Sequence, residues 1–531
     1  MKKHYQFCLF IFALLFATQS FAQTFVVIPA SSDPALPTDI FPVIMGDTTA
    51  TGERNNPNTI YQLENGVVYI TTGRIVNKPD WDLQIQAVDL ENTALKPILT
   101  RIPNDSGTYP DIMRPEGNLT LRNLWIVSGD KGPLEQHDWG KIRISGTDTR
   151  VIIDNCIVEK DRGGFLQLRA DGVKAYITNS VLRNGGNRRI IQGNGRGFDA
   201  RNFTLDTLVM RNSIVHNIQD RFFRSQGGSV PHNYIEIDHC TSFNTVGRHG
   251  HIQLGRVTTA KITNNVFMDP IMLGSSPIYT NEQTQPDNDL HKVITVDTLY
   301  DNTSLTISNN NIFWTQAVQD YWASNDTVSA PGVLSDLVMQ HLGAAAEDAF
   351  FQEDLTLNSV PVSILQYVED LYANPLAEDM FDFIVEDDVV AGTPFDSGNL
   401  FDFSGFDPCY PSTAQSATAA TNGGAIGAVS FCSELSTNVF EVEVNNALAL
   451  EVFPNPASNL LNLTFELSQS DEVSIQMMDM RGSVVKNILL GQLPSGSHAI
   501  SEDLSQDIAK GMYFVSIRTN QGMMTKKLVV Q

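Results

Sequence analysis

Cysteine, long apolar runs and positive charge are all scarce in this sequence. Five cysteines in 531 residues exclude a small disulfide-stapled scaffold. Beyond residue 22 no stretch approaches about 18 uninterrupted apolar residues, so a membrane-spanning helix is not expected. The chain has 35 Lys and Arg against 60 Asp and Glu, a formal net charge of -25. Such an acidic composition by itself favours solubility and indicates no particular partner.

The first 22 residues have the three ordered parts of a secretory signal peptide. Lys2 and Lys3 begin the segment, an apolar run follows at residues 7–16, and Ser20-Phe21-Ala22 predicts cleavage after Ala22. The run is too short to span a bilayer. Cys8 lies inside it, which argues against a lipid anchor. We therefore predict a signal peptide at residues 1–22, export of the mature chain and no transmembrane segment.

The scarce positive charge is concentrated in one part of the chain. Residues 141–261 contain 18 Lys and Arg against 10 Asp and Glu. A basic island in an acidic protein costs local self-repulsion and suits a polyanionic partner. Nucleic acid would fit chemically, but an exported protein more readily meets an acidic polysaccharide. We predict an acidic polysaccharide as the partner and no nucleic acid.

A repeated pattern determines the predicted fold. Seven segments share the pattern apolar-x-apolar-x-Asn, and the aligned residues are Asn123, Asn155, Asn179, Asn212, His239, Asn264 and Asn309. Alternation with period 2, broken by a polar turn residue, indicates short strands. Most copies recur at intervals of about 24 to 33 residues without a helical period, which indicates the coils of a parallel β-helix. We expect the Asn side chains to stack as a structural ladder at a bend.

This repeat resembles that of the right-handed parallel β-helix proteins typified by pectate lyases and other polysaccharide-active enzymes. The resemblance covers roughly residues 60–320 and implies an all-β chain with a right-handed parallel β-helix at residues 23–432. Helical spacing within residues 331–390 indicates a small helical flank, in particular at residues 334–342 and 362–371. Residues 433–447 are predicted to be a linker.

The segment from residue 448 is predicted to be a separate β domain. Val452-Phe-Pro-Asn-Pro begins it, Val473-Ser-Ile-Gln-Met-Met alternates as a strand, and Lys526-Lys-Leu-Val-Val ends it. These residues are similar to the type A sorting domain of the Bacteroidota type IX secretion system. The resemblance implies a small β-sandwich at residues 448–531 that engages the type IX machinery during passage across the outer membrane. The protein is then expected at the cell surface or in the medium.

Four cysteines remain after the predicted cleavage. Cys156 and Cys240 lie three coils apart, about 14 Å at a strand spacing near 4.8 Å. A disulfide needs Cα atoms within about 7 Å, so we expect two buried, free thiols. Cys409 and Cys432 flank a loop-rich segment and could pair, as export permits, but the sequence leaves their pairing open.

Each coil has a second strand after the Asn strand, and alternation predicts which of its side chains point outward. The predicted outward row is Gln167, Gln192, Arg224 and Gln253, with His251 beside it and Arg169 on the other flank. Basic residues precede these strands at Lys160, Arg189, Arg221 and Arg248. Successive positions in the row are about 4.8 Å apart, close to the length of one sugar residue. The row could therefore bind a linear glycan.

An acidic polysaccharide is commonly cleaved by β-elimination. The reaction needs a cation for the uronate carboxylate, a base for the adjacent proton and an acid for the departing oxygen. We predict Arg224, Arg221 and His251 as catalytic residues, because Arg meets a carboxylate bidentately and His titrates near neutrality. The predicted substrate-binding residues are Lys160, Gln167, Arg169, Arg189, Gln192, Arg248 and Gln253. We predict no metal ligands and no cofactor, although calcium is compatible with such enzymes.

Two other functions remain open. A glycoside hydrolase would need two carboxylates across a groove, and Asp171, Asp199 and Asp220 are the acids near the row. A non-catalytic glycan-binding or adhesive protein would use the same basic surface. The Trp-x-Asp-His segment associated with pectate lyases does not occur here, and its nearest counterpart, Glu236-Ile-Asp-His239, lacks the Trp.

Overall fold

The protein divides into two compact units, Met1–Thr437 and Asn438–Gln531. The computed structural model describes residues 24–33, 36–93, 95–102, 110–128, 140–186, 195–225, 230–247, 249–275, 291–360, 363–373, 407–432, 450–458, 460–467, 471–478, 484–504, 508–519 and 522–530. The predicted signal peptide and the predicted linker lie outside these residues. Among the helices of the described part, none is long and apolar enough to cross a membrane.

Over its described residues, the first unit is a parallel β-helix built from three sheets, here called sheets 1, 2 and 3. Sheet 1 has ten strands, Thr24–Ile28, Thr59–Leu63, Leu83–Ala87, Leu119–Arg122, Arg150–Asp154, Val173–Thr178, Leu205–Arg211, His232–Asp238, Val257–Thr263 and Ser304–Ser308. Sheet 2 has eleven, Thr38–Asp39, Val68–Thr71, Ile98–Arg101, Trp125–Ser128, Ile157–Asp161, Val181–Gly185, Ile214–Ile218, Thr241–Thr245, Val266–Met268, Asn310–Phe313 and Phe350–Phe351. Sheet 3 has seven, Ile142–Ile144, Gly164–Leu168, Arg196–Asp199, Phe223–Arg224, Ile252–Gln253, Lys292–Thr295 and Gly332–Leu334. The chain order of the strands is also their order in each sheet, which confirms the predicted parallel stack.

Apolar residues of the repeat form one continuous core along the stack. Val151 pairs with Ala175, which pairs with Leu208 on the next coil, and all three are buried. Each coil thus covers the apolar side chains of its neighbour, and burial of this surface is the main stabilising contribution to such a stack. Alternation inward and outward along each strand is what the repeated pattern predicts.

The predicted Asn ladder lies at the bend between sheets 1 and 2. All seven aligned residues have positive φ, between 47° and 58°, a conformation that Asn tolerates better than most residues. Asn155 Nδ2 donates to Asn123 Oδ1 over 3.1 Å, and Lys96 Nζ donates to both amide oxygens over 2.7 and 2.9 Å. Asn179 instead donates to the Asp154 carboxylate over 2.9 Å. Carboxylates of sheet 1 therefore replace part of the expected amide-to-amide bonding.

A second ladder, which we did not predict, lies at the bend after sheet 2. Its members each follow a residue of the first ladder by five positions and have φ between 47° and 57°; they are Lys160, Asn184, Asn217, Asn244 and Asp269. Asn244 Nδ2 donates to Asn217 Oδ1 over 2.9 Å, and Asn217 Nδ2 donates to Asn184 Oδ1 over 3.4 Å. A constant offset of five residues was the sequence signal for this ladder.

In the part of the chain that the structure describes, four helices accompany the coils: α1, Ile40–Gly46; α2, Gln316–Ala323; α3, Asp336–Leu342; and α4, Leu365–Ala373. Both segments with helical spacing therefore contain a helix. Helix α1 adds Ile40 and Ile44 to the core of the stack, and α3 adds Val338. Helices α2 and α4 contribute to a separate apolar cluster with Met272 and Leu273.

The cysteines follow the expected geometry. Cys156 and Cys240 are free and buried, and burial raises the pKa of Cys156 to about 12. Cys409 and Cys432 form a disulfide with Cα atoms 5.4 Å apart. The segment that they close hydrogen-bonds to the coils, since Gly427 N donates to Asn264 O over 2.7 Å. The disulfide therefore fastens this segment beside the first ladder.

The second unit is a β-sandwich. One sheet contains Glu451–Phe453, Leu460–Leu467 and Gly496–Asp503, and the other contains Asp471–Met478, Val484–Leu493, Gly511–Thr519 and Gly522–Val530. All its strand pairs within these sheets are antiparallel. Leu463 of the first sheet and Ile475 and Ile517 of the second share one apolar core. This arrangement agrees with the small β-sandwich expected at the C-terminus.

We expect Asn155→Ala to lower the free energy of unfolding of the β-helix by more than Asn155→Gly does. Both variants lose the hydrogen bonds to Asn123 and Lys96, worth about 1–3 kcal/mol. Only the Ala variant is also destabilised by the left-handed backbone conformation, by about 1 kcal/mol, because the φ of residue 155 is 52°. Urea unfolding monitored by circular dichroism measures both values. Equal stability of the two variants would contradict a strained bend at this position.

Candidate functional site

The outward side of sheet 3 carries an uninterrupted row of polar side chains. Backbone pairing aligns these residues in the order Arg143, Gln167, Asp199, Arg224, Gln253 and Thr295. Gln167, Arg224 and Gln253 thus share a row, as alternation predicts. Arg114 precedes them, because an isolated parallel bridge joins its neighbour Met113 to Ile142.

One position of the predicted row is occupied by a different residue. The strand between Gln167 and Arg224 is Arg196–Asp199, so Asp199 holds the position that alternation gave to Gln192. Phe198 points inward and its ring lies 6.1 Å from that of Phe223, which gives this strand a large buried apolar contact. A Cβ at Gly197 would approach the Phe222 carbonyl oxygen to 2.4 Å, so the strand also needs Gly there. Gln192 and Arg189 lie outside the described residues, as does Arg248.

Two aspartates and three arginines form a connected ion-pair network at the centre of the row. Arg196 bridges the two acids, with Nη1 3.0 Å from Asp199 Oδ2 and Nε 2.7 Å from Asp220 Oδ2. Arg224 Nη1 lies 3.6 Å from Asp199 Oδ2, and Arg221 Nε lies 3.2 Å from Asp220 Oδ1. We call these five residues the Arg–Asp cluster.

The Arg–Asp cluster is buried, and its charges stabilise one another. Burial alone would raise the pKa of Asp199, but the guanidiniums of Arg196 and Arg224 outweigh it and lower the pKa to about 2. Burial would also raise the pKa of Asp220, but Arg221, His249 and Arg196 outweigh it and hold this pKa well below its ordinary value. Burial, together with repulsion from Arg196 and Arg221, lowers the pKa of Arg224. Both acids are therefore ionised at neutral pH, and a further anion near Arg224 would be favoured.

The structure brings His249, rather than His251, to this cluster. His249 Nδ1 lies 2.9 Å from Asp220 Oδ1. His251 was expected beside the outward row, but it is 0% exposed and its ring lies between those of Phe222 and Phe267, at 5.7 and 5.3 Å. Burial lowers the pKa of His251 to about 3, and its ring nitrogens make no hydrogen bond to any described residue. Residue 251 precedes its strand at a corner, where outward alternation no longer applies.

Accessible arginines lie in the row or beside it. Gln167 Oε1 accepts hydrogen bonds from Arg143 Nε over 3.1 Å and from Arg169 Nη2 over 2.9 Å. Arg169 and Arg201 are exposed, and Arg143 is half-buried. Gln253 Oε1 accepts from Arg221 Nη1 within the buried part. Exposed guanidiniums therefore continue directly from the buried cluster.

Two other predicted residues occupy a bend and a turn of the coils. Lys160 is buried and begins the second ladder, with a φ of 57°. Asp171 is exposed, and its Oδ1 accepts from Thr204 N over 2.7 Å in a turn.

Two further groups of reactive residues do not form a site. Ser225 Oγ lies 2.5 Å from His232 Nε2, but His232 Nδ1 accepts from Leu205 N. The ring proton is therefore on Nε2, and the neutral His232 cannot take the proton of Ser225. Among the described residues, Asp407, Cys409 and Cys432 have the spacing of metal ligands. Their two sulfurs are joined in the disulfide and cannot bind a metal as thiolates.

We expect Asp199→Asn to make the stability of the β-helix less dependent on acid. A carboxyl with a depressed pKa stabilises the folded state above its ordinary pKa, and the contribution disappears as the pH falls toward the folded value of about 2. The loss is about 2 kcal/mol. Urea unfolding between about pH 5 and pH 2 measures it. Asp301→Asn, which changes an exposed turn residue, is the control; equal slopes for both variants and the wild type would contradict the ion pairing.

Comparison with known proteins identifies the C-terminal unit. Residues 451–531 match the family model described as the secretion system C-terminal sorting domain. This match confirms the predicted type IX sorting domain. Such a tail indicates secretion, with a cell-surface or extracellular location, and implies the secretion machinery as a partner. No curated protein matches the chain. The chain is thus a type IX-sorted protein with a parallel β-helix ahead of its sorting domain.

Proposed function

We propose that the exported chain binds an acidic, uronate-containing polysaccharide, with or without sulfate esters, and cleaves it by β-elimination. The observation that carries the proposal is the outward row of sheet 3, where guanidiniums recur on successive coils around two ionised aspartates. The recurrence distance of about 4.8 Å matches a linear glycan lying along the stack. Arg is also the side chain best suited to carboxylates and sulfates.

Arg224 is the proposed partner of the uronate carboxylate at the point of cleavage. Its positive charge is repelled by Arg196 and Arg221 and attracted by Asp199, whose Oδ2 lies 3.6 Å from Arg224 Nη1. A substrate carboxylate would relieve that repulsion. In β-elimination, negative charge accumulates on this carboxylate when the neighbouring carbon loses its proton. A preorganised guanidinium therefore stabilises the transition state more than the ground state.

His249 replaces His251 as the proposed base. Asp220 is ionised and can only accept a hydrogen bond, so the neutral form of His249 carries its proton on Nδ1 and its lone pair on Nε2. This is the orientation that a general base requires. Removal of the proton by His249 is followed by cleavage of the C–O bond to the departing sugar, whose oxygen takes up a proton from the protonated His249 or from water. The products are an unsaturated uronate and a new reducing end.

The exposed Arg169 and Arg201 and the half-buried Arg143 supply the proposed binding surface. Arg143 and Arg169 share the amide oxygen of Gln167, and Arg201 lies near Arg169. A polymer on this surface would be positioned along the row toward Arg224. The sequence alone supports a substrate-binding role for four further residues, Lys160, Arg189, Gln192 and Arg248.

Specific observations bear on the two alternative functions, a non-catalytic glycan-binding protein and a glycoside hydrolase. Burial of Arg221 and Arg224 favours a non-catalytic glycan-binding protein that uses only the exposed arginines. A glycoside hydrolase needs one protonated carboxyl as its acid. The low pKa values of Asp199 and Asp220 argue against that role for either residue. We also propose the domain bounds that the sequence predicts. These are a signal peptide cleaved after Ala22, a β-helix domain at residues 23–432 and a linker at residues 433–447.

We expect Arg224→Ala and Arg224→Lys both to lower the rate of cleavage by about 10²- to 10³-fold. Lys retains the charge but cannot reproduce a bidentate contact with a carboxylate. Steady-state kinetics on the cleaved polysaccharide measure the loss, and circular dichroism tests the fold. Arg150→Ala, on sheet 1, is the matched control. Near-normal turnover by a folded Arg224→Ala variant would remove Arg224 from the site.

The two histidines give the sharpest contrast. His249→Gln should lower kcat by about 10²- to 10⁴-fold and abolish the acidic limb of the pH dependence, on which activity falls as the imidazole becomes protonated. His251→Phe should leave kcat unchanged, because an aromatic ring there keeps the contacts with Phe222 and Phe267. It should also maintain or raise stability, since it removes two buried, unbonded nitrogens. Loss of activity in His251→Phe together with normal activity in His249→Gln would identify His251 as the base.

A further inference from the structure

A second group of arginines surrounds one buried acid on the early coils. Asp111 Oδ1 accepts from Arg74 Nε over 2.6 Å, and Asp111 Oδ2 accepts from Arg114 Nε over 2.9 Å. Asp111 is 0% exposed, whereas Arg74 and Arg114 are partly exposed. Both carboxylate oxygens are therefore already bound to guanidiniums. Because Arg114 belongs to the outward row, this group lies on the same face as the Arg–Asp cluster.

Arg101 is the unusual member of this group. It ends the sheet 2 strand Ile98–Arg101 and is 8% exposed, yet its Nε and Nη1 are buried without a hydrogen-bond partner among the described residues. Its charged neighbours are Arg74, which repels it, and Asp111 and Asp39, which attract it. A buried guanidinium with unbonded N–H groups is costly, so such groups ordinarily have an acceptor.

The nearby carboxylates do not supply that acceptor. Asp111 is occupied by Arg74 and Arg114. Asp39 Oδ1 accepts from Phe41 N over 3.0 Å, at the start of α1, and Asp39 Oδ2 accepts from Thr72 Oγ1 over 2.5 Å. Arg101 thus faces two carboxylates that already accept hydrogen bonds from other groups, and the three guanidiniums outnumber the two carboxylates. The excess positive charge and the unbonded N–H groups point to a missing oxyanion.

We propose that Arg101, Arg74 and Arg114 form an anion-binding subsite for a carboxylate or sulfate group. The proposal deepens the proposed function and rests on it only in taking the anion to belong to an acidic glycan. Arg114 and Arg224 are separated by four coil steps in the outward row, about 19 Å at ~4.8 Å per step. A single glycan chain of about four or more sugar residues could contact both places. Binding at the distal subsite would then position the polymer for cleavage.

The test compares the melting temperature in sodium sulfate, sodium glucuronate and sodium chloride at equal ionic strength. Wild-type protein should gain about 2 °C over chloride at an oxyanion concentration of tenfold Kd. The gain should be reduced or absent in Arg101→Gln. Arg150→Gln, which changes an arginine of sheet 1 paired with Asp82, should keep it. A response to sulfate alone assigns the subsite to sulfate esters, a response to glucuronate alone assigns it to uronates, and a response to both assigns it to either group.

A second readout separates binding from a structural role of Arg101. Without added oxyanion, Arg101→Gln should melt at the same temperature as wild type or higher, because an uncompensated buried charge is removed. The subsite is overturned if neither oxyanion stabilises the wild type more than chloride does, or if Arg101→Gln leaves the response unchanged. These outcomes are independent of catalysis. The Arg224→Ala variant should lose turnover but keep the gain in melting temperature that oxyanions produce through Arg101.

Discussion

In-register stacking of parallel strands is the constraint on which the other features of the β-helix depend. Each coil repeats the backbone hydrogen bonds of its neighbour, so residues at equivalent positions must lie about 4.8 Å apart. Apolar residues at inward positions then form a continuous core. Polar residues at the bends must satisfy one another or the adjacent strands, because the stack buries them. The two ladders, the buried thiols and the polar row on sheet 3 all follow from this repetition.

The same constraint explains the charges of sheet 3. Stacking would bring like charges together wherever basic residues recur, as they do at Arg196, Arg221 and Arg224. Asp199 and Asp220 lie between these guanidiniums and remain ionised, which allows the cations to be buried. A surface so arranged retains excess positive charge toward the exposed Arg169 and Arg201. It is this excess, in an acidic chain, that favours a polyanionic ligand.

Sequence patterns predicted the features that depend on periodicity and failed where periodicity ends. The coils, the first ladder and the free thiols follow directly from the repeat, and the sorting domain follows from its own residues. Alternation distinguished inward from outward residues within a strand but could not choose between residues 190–194 and Arg196–Asp199 as the strand of one coil. The inward ring of Phe198, with Gly197 beside it, decides that choice. His251 was misplaced because it stands at a corner, and the pairing of Arg196 with Asp220 depends on contacts across coils that no local pattern encodes.

Incubation of the mature protein with a panel of acidic polysaccharides tests the central claim most directly. Ultraviolet absorbance reports the unsaturated uronate, and a reducing-end assay reports every chain cleavage. The account predicts that both signals rise together on at least one uronate-containing glycan. A rise in reducing ends alone would indicate hydrolysis. Binding to such glycans without a rise in either signal would contradict the lyase and leave a non-catalytic binding protein.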